Sequence, residues 1–234
     1  MRVSQRPRRG LFSIQGACLT KPRVKICCIG CIEEAQLAVR YGASAIGLVS
    51  AMPSGLGPIT EELITQIAAT VPQAVSTFLL TCKQTPEEVI DQQRRTKVST
   101  LQLVDSFPVD GYEVLRRELP GIRIVQVIHV RDDRSVDEAI MIAPHVDALL
   151  LDSGNPTLTV KELGGTGRVH DWNISRKIRE VVPVPVFLAG GLKPENVREA
   201  VEQVHPYAVD ICSGVRTNGK LDEEKLSRFF AALK

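Results

Sequence analysis

Asp152 stands at the end of a short apolar run, Asp147–Leu151, entered from Val146. Such a run reads as a strand buried on both faces, as in a parallel sheet, so the carboxylate sits where the strand emerges. The loop that follows is rich in Gly, Asn, Pro and Thr and closes on Gly164-Gly165-Thr166-Gly167-Arg168. A carboxylate at a strand tip, beside a glycine turn that brings backbone N–H groups to an anion, suits a phosphorylated substrate. Gly190-Gly191 after the run Val184–Ala189 and Ser213-Gly214 after Tyr207–Cys212 repeat the theme. Any one of these glycines alone serves a tight turn. Three such turns at adjacent strand ends favour a collar of donors around a phosphate.

The elements that must position these groups alternate along the chain. Short apolar runs at Val24–Cys28, Ala45–Val49, Val75–Leu80, Thr100–Val104 and Arg123–His129 precede the three already named. Helical patterns separate them: Ile32–Tyr41 ending at Gly42, a segment from Thr60 to about Thr70, one capped by Thr85 with Pro86 at its first position, and one near Gly111–Glu118. Ser135-Val136-Asp137-Glu138 reads as a capping box opening a helix to about Ala143. Trp172–Val181, Pro194–Val204 and Asp222–Leu233 complete the set. Eight strands, each followed by a helix, predict a (β/α)8 TIM barrel, a parallel eight-stranded barrel with outer helices. A doubly wound open sheet is the alternative, but it has no need of an eighth unit returning to the first.

Chemistry in such a barrel lies at the C-terminal ends of the strands. That rule selects Cys27 and Cys28, Ser50, Thr81 and Cys82, Asp105, His129, Asp152, Gly190-Gly191, and Cys212-Ser213-Gly214.

The chain has 234 residues, 44% of them apolar, and a formal net charge of +2. That length fits one large core, so residues 23–234 are expected to form a single barrel domain. The small charge gives no electrostatic reason to expect a nucleic-acid partner. Residues 1–22 carry much of the basic excess without an apolar signal core, and are expected to be a flexible basic leader. No apolar run reaches the roughly 18 residues a membrane span needs. The Cys28/Cys31 spacing lacks a second Cys or His pair, so no metal site is expected. The six cysteines are expected to be reduced thiols in a cytoplasmic protein.

KICC at 25–28, ALLLD at 148–152, GGTGRVHDW at 164–172, LAGGLKPENVREAV at 188–201 and VDICSGV at 209–215 occur in this order. Together they resemble the phosphoribosylanthranilate isomerase family of tryptophan biosynthesis. The resemblance implies an Amadori rearrangement of an N-(5-phosphoribosyl)amine to a 1-amino-1-deoxyribulose 5-phosphate. It implies no cofactor, and a monomer or homodimer. It assigns the general base to Cys27 and the general acid to Asp152. The phosphate falls to Gly165, Gly167, Gly190, Gly191, Ser213 and Gly214. Lys25, two residues from Cys27 on the same strand face, is expected to lower the thiol pKa. Asp152 must hold a proton to give, which an apolar strand and substrate desolvation favour.

The sequence departs from the family after the second strand. Members usually carry an Arg there for the anthranilate carboxylate, whereas this chain reads SAMPSGLGPI, with no positive charge between Arg40 and Lys83. His129, Arg168 and Arg216 are the residues available to replace it, and the arginines also suit the phosphate. The departure leaves two alternatives open: an isomerase for a different amine, or a phosphosugar-binding barrel without catalysis.

Overall fold

The computed structural model describes residues 21–53, 55–164 and 167–234. Most of the expected leader, and Gly165 of the expected phosphate collar, lie outside the described residues.

Eight parallel strands close into a barrel in sequence order. They are β1 (Arg23–Ile26), β2 (Ala45–Val49), β3 (Ser76–Thr81), β4 (Thr100–Leu103), β5 (Arg123–His129), β6 (Ala148–Asp152), β7 (Val186–Leu188) and β8 (Ala208–Ile211). The helices are α1 (Ile32–Arg40), α2 (Glu61–Thr70), α3 (Pro86–Thr96), α4 (Val109–Glu118), α5 (Arg134–Ile142), α6 (Trp172–Val181), α7 (Val197–Val204) and α8 (Glu223–Ala232). Each strand is thus followed by its helix. A small antiparallel pair, β9 (Arg216–Thr217) and β10 (Lys220–Leu221), interrupts the last connection.

Two apolar layers result from the two-residue period of the strands. Outward residues such as Ile26, Ile46, Leu79, Ile128 and Leu151 pack under the helices. Inward residues such as Phe78, Val125, Leu150 and Phe187 fill the barrel, where the Phe78 and Phe187 rings lie 5.7 Å apart. A strand with both faces so covered is apolar throughout, as Ala45–Val49 is.

The helix starts follow their caps. Thr60 Oγ1 accepts from Leu63 N at 3.3 Å, and Asp222 Oδ1 accepts from Lys225 N at 3.0 Å. Thr85 Oγ1 accepts from Glu88 N at 3.4 Å and donates to the Glu88 carboxylate at 2.9 Å. Two starts differ from expectation. The capping box at Ser135 does not form; α5 begins one residue earlier, and Ser135, buried, donates to His129 O at 3.4 Å. Residues 194–196 form a turn rather than the first helical turn, and α7 starts at Val197. Asn196 explains the turn: its side chain accepts from Lys193 N at 2.8 Å and donates to Gly191 O at 3.1 Å.

Candidate active site

Strand order and register put the functional groups around one mouth. Cys27 follows the last residue of β1, and its backbone N–H donates to Ile211 O of β8 at 2.8 Å. Lys25 pairs in register with Asp210 across the β1–β8 seam. Its Nζ donates to Asp210 Oδ2 at 2.7 Å and lies 3.5 Å from Cys27 Sγ, wholly buried. The ammonium also stands over the Phe78 ring, 5.2 Å from its centre. Room for this group comes from Gly47 in β2. A Cβ there would lie 2.7 Å from Cys27 Sγ and 3.1 Å from Lys25 Nζ.

Burial is the largest influence on the Cys27 thiol. It pushes the pKa up to about 11; Lys25 pulls it down, and Asp210 opposes Lys25. The expected lowering is therefore corrected: the cation is in place, but desolvation of the thiolate exceeds its effect. Lys25 itself is held charged. Burial acts against its ammonium, and the attraction of Asp210 followed by that of Cys27 raises its pKa.

Asp152 ends β6, opposite His129 of β5. Its Oδ1 accepts from Ser153 N at 2.7 Å, and the Gly164 backbone packs against Oδ2. Gly164 belongs to a strap, residues 153–164, that turns back through reciprocal Asn155–Glu162 backbone hydrogen bonds of 2.8 and 3.0 Å. Leu163 of this strap is buried in the mouth.

Cys27, Asp152, Gly167, Gly190, Gly191 and Ser213 line one cavity at the C-terminal end of the barrel. Gly190 and Gly191 have φ of 79° and 62°, a region glycine enters without penalty. Gly214 does not line the cavity; it lets the turn after β8 press on the Leu192 backbone. Two lining residues carry buried acceptor atoms with no partner, Oε1 of Gln102 and Oδ1 of Asp210. Neither was singled out in the sequence. The signal was there: each is a polar residue flanked on both sides by apolar ones within a strand.

The three candidate replacements for the missing Arg have partners elsewhere. His129 is buried with Nε2 2.9 Å from Val104 O, and Arg168 pairs with Glu162 at the exposed edge of the strap. Arg216 binds Glu34 at 3.0 Å and the carbonyl oxygens of Cys27 and Cys28. It thereby ties the end of β1 to α1. The expectation of six reduced thiols is also corrected. Closure of the barrel sets Cys28 beside Cys212, with Cα atoms 5.9 Å apart, and the two form a disulfide. Among the described residues Cys27, Cys31 and Cys82 are free, and Cys18 lies outside the described residues. Among the described residues no group of three His, Cys, Asp or Glu is placed to hold a metal, and no helix is long and apolar enough to cross a membrane.

The family model for N-(5'phosphoribosyl)anthranilate (PRA) isomerase matches residues 24–232. The chain belongs to that family. A N-(5'-phosphoribosyl)anthranilate isomerase of Methanocella arvoryzae is 36% identical over 208 residues, covering 89% of this chain and 95% of the relative. The phosphoribosyl anthranilate isomerase of Thermotoga maritima superposes with a TM-score of 0.77 at 30% identity, covering 91% of this chain and 98% of that one. A further solved isomerase holds reduced 1-(o-carboxyphenylamino)-1-deoxyribulose 5-phosphate. It is 28% identical, with a TM-score of 0.74 and coverage of 91% and 98%. The isomerase fold and activity inferred from the motifs accordingly stand, and with them the place in tryptophan biosynthesis.

Proposed function

We propose that Cys27 and Asp152 are the proton-transfer pair of this isomerase. The observation that carries the proposal is that both line one cavity with Gly190, Gly191 and Ser213. Asp152 gives a proton to the ring oxygen of the phosphoribosylamine, and the ring opens to an iminium. Cys27, having passed its thiol proton to the Asp152 carboxylate left by ring opening, removes the proton from C2 as a thiolate, leaving an enolamine. The enolamine gains a proton at C1 and loses one from the C2 hydroxyl, giving the aminoketose. The sum is an isomerisation, and no other reactant is consumed.

A buried thiol with a pKa of about 11 is a poor base in the free protein. The iminium supplies what is missing. Its positive charge forms beside the sulfur, in a water-poor site where an opposite charge favours the thiolate strongly. Proton abstraction is thereby tied to ring opening. The open acceptors on Gln102 and Asp210 suit the substrate's hydroxyl and amine donors. The turns carrying Gly167, Gly190, Gly191 and Ser213 hold the phosphate. The same reading places the enzyme in the cytoplasm as a monomer or homodimer, which cell fractionation and sedimentation would test.

The decisive experiment follows the loss of anthranilate-type fluorescence with Cys27→Ser and Asp152→Asn. Removing either group is expected to lower kcat by about 10²–10⁴-fold. Affinity for a phosphorylated product analogue should persist in both. Near-normal turnover in either variant would sink the assignment.

A further inference from the structure

With phosphate held at β7 and β8, and proton transfer over Cys27 and Asp152, the amine must occupy the remaining quadrant of the mouth, at β2 to β4. Apart from Gln102 of β4, that quadrant is apolar. Met52, Leu56, Leu80 and Leu163 line it, which suits a phenyl ring. The amine named in the family's substrate, anthranilate, also carries an ortho carboxylate, which is costly to bury without a partner. No positive charge lies between Arg40 and Lys83, so the loop after β2 offers none.

We infer that Lys161 receives this carboxylate, presented by Asp105, and so sets the amine specificity of the isomerase. The inference rests on the isomerase reading above. Lys161 lies two residues before Leu163 in the extended returning limb of the strap. Alternate residues of an extended segment share a side, so Lys161 points the way Leu163 points, toward the mouth. Its Nζ donates to Asp105 Oδ2 at 2.5 Å. Asp105, two residues past the end of β4, is itself fixed. Its Oδ1 accepts from Ser106 N at 2.8 Å, and its carbonyl accepts from the Gln126 amide at 2.9 Å.

Lys161 and Asp105 both act electrostatically on the Cys82 thiol, which donates to Ala51 O beside Met52. The ammonium therefore stands at the rim shared by β2, β3 and β4. Asp105 is nearly buried while the Lys161 side chain is 37% exposed, so the ammonium is reachable from solvent and held on a fixed base. An ammonium carries three N–H donors and can serve a protein carboxylate and a ligand carboxylate together. Lys161 is thus a specificity-determining residue, and Asp105 a positioning residue acting through it.

The test compares two substrates, phosphoribosylanthranilate and phosphoribosylaniline, which differ only in the carboxylate. Lys161→Gln and Lys161→Met are expected to raise KM for the first by about 10–100-fold, the weight of a charge-assisted hydrogen bond. On the aniline substrate kcat/KM should stay within about threefold, and Lys161→Arg should restore most of the preference for the carboxylated one. Asp105→Asn should reduce the same preference without abolishing it. Equal losses on both substrates would mean that Lys161 only pins the strap, and would overturn the inference. So would an unchanged preference in Lys161→Gln. If the unaltered protein fails on both substrates, the isomerase reading itself falls first.

Discussion

Cys27 keeps its proton in the free protein because a thiolate there would be cut off from water, and one ammonium 3.5 Å away does not make up the loss. Asp210 works on the thiol as well as on Lys25. It holds the ammonium in place but spends part of its attraction and repels a thiolate. The consequence shows in the reactivity of Cys27, read by mass spectrometry of its peptide after brief alkylation. The thiolate fraction grows tenfold per pH unit below its pKa, so the rate should climb from pH 7 to about pH 10 without levelling. A plateau near neutral pH would show that Lys25 prevails over burial after all. A bound cationic analogue of the iminium should lower the Cys27 pKa, read from the ultraviolet absorbance of the thiolate.

Among the elements, β2 is the one whose role is easiest to overlook, since its five residues are all buried and none bears a reactive group. Gly47 at its centre is nevertheless a constraint on the reaction. A methyl group there meets Cys27 Sγ at 2.7 Å and Lys25 Nζ at 3.1 Å, and neither is free to withdraw into a filled barrel. Gly47→Ala is expected to cost about 1–3 kcal/mol in denaturant unfolding, the usual range for overpacking. It should also lower kcat more than it raises KM, because it displaces the proposed base, Cys27, rather than the phosphate or the amine. The strap between β6 and α6 makes the complementary contribution. It places Leu163 in the mouth, Gly164 against Asp152 and Lys161 on Asp105.

At the scale of the whole molecule, the β1–β8 seam both closes the barrel and carries the proposed base. The Lys25–Asp210 pair crosses it at 2.7 Å, the Cys28–Cys212 bridge lies just above, and Arg216 reaches from beyond β8 to Glu34 of α1. A buried pair is costly to break and weak as a source of stability. Asp210→Leu alone should therefore destabilise the fold by about 3–5 kcal/mol, by stranding the Lys25 charge. Adding Lys25→Met should recover most of that stability while leaving the enzyme inactive. Equilibrium unfolding of both variants checks the first part and the fluorescence assay the second. Recovery of activity in the double variant would show that the pair serves only closure.

Much of this was legible in the residues. Eight apolar runs separated by amphipathic, capped segments determined the barrel, because strand and helix periods and cap chemistry are local. Asp152 and Cys27 were visible as polar groups at the tips of buried strands, and the glycine turns as donors beside them. Other features depend on distant parts of the chain meeting. Asp210 could be tied to Cys27 only through the β1–β8 register, Gly47 became a constraint only when a neighbouring strand's sulfur lay over it, and Lys161 reached Asp105 only across the barrel mouth. The direction of the Cys27 pKa belongs to the same class. A sequence shows that a lysine is near a cysteine, whereas the balance between its charge and the loss of water is fixed by how completely the folded barrel encloses them both.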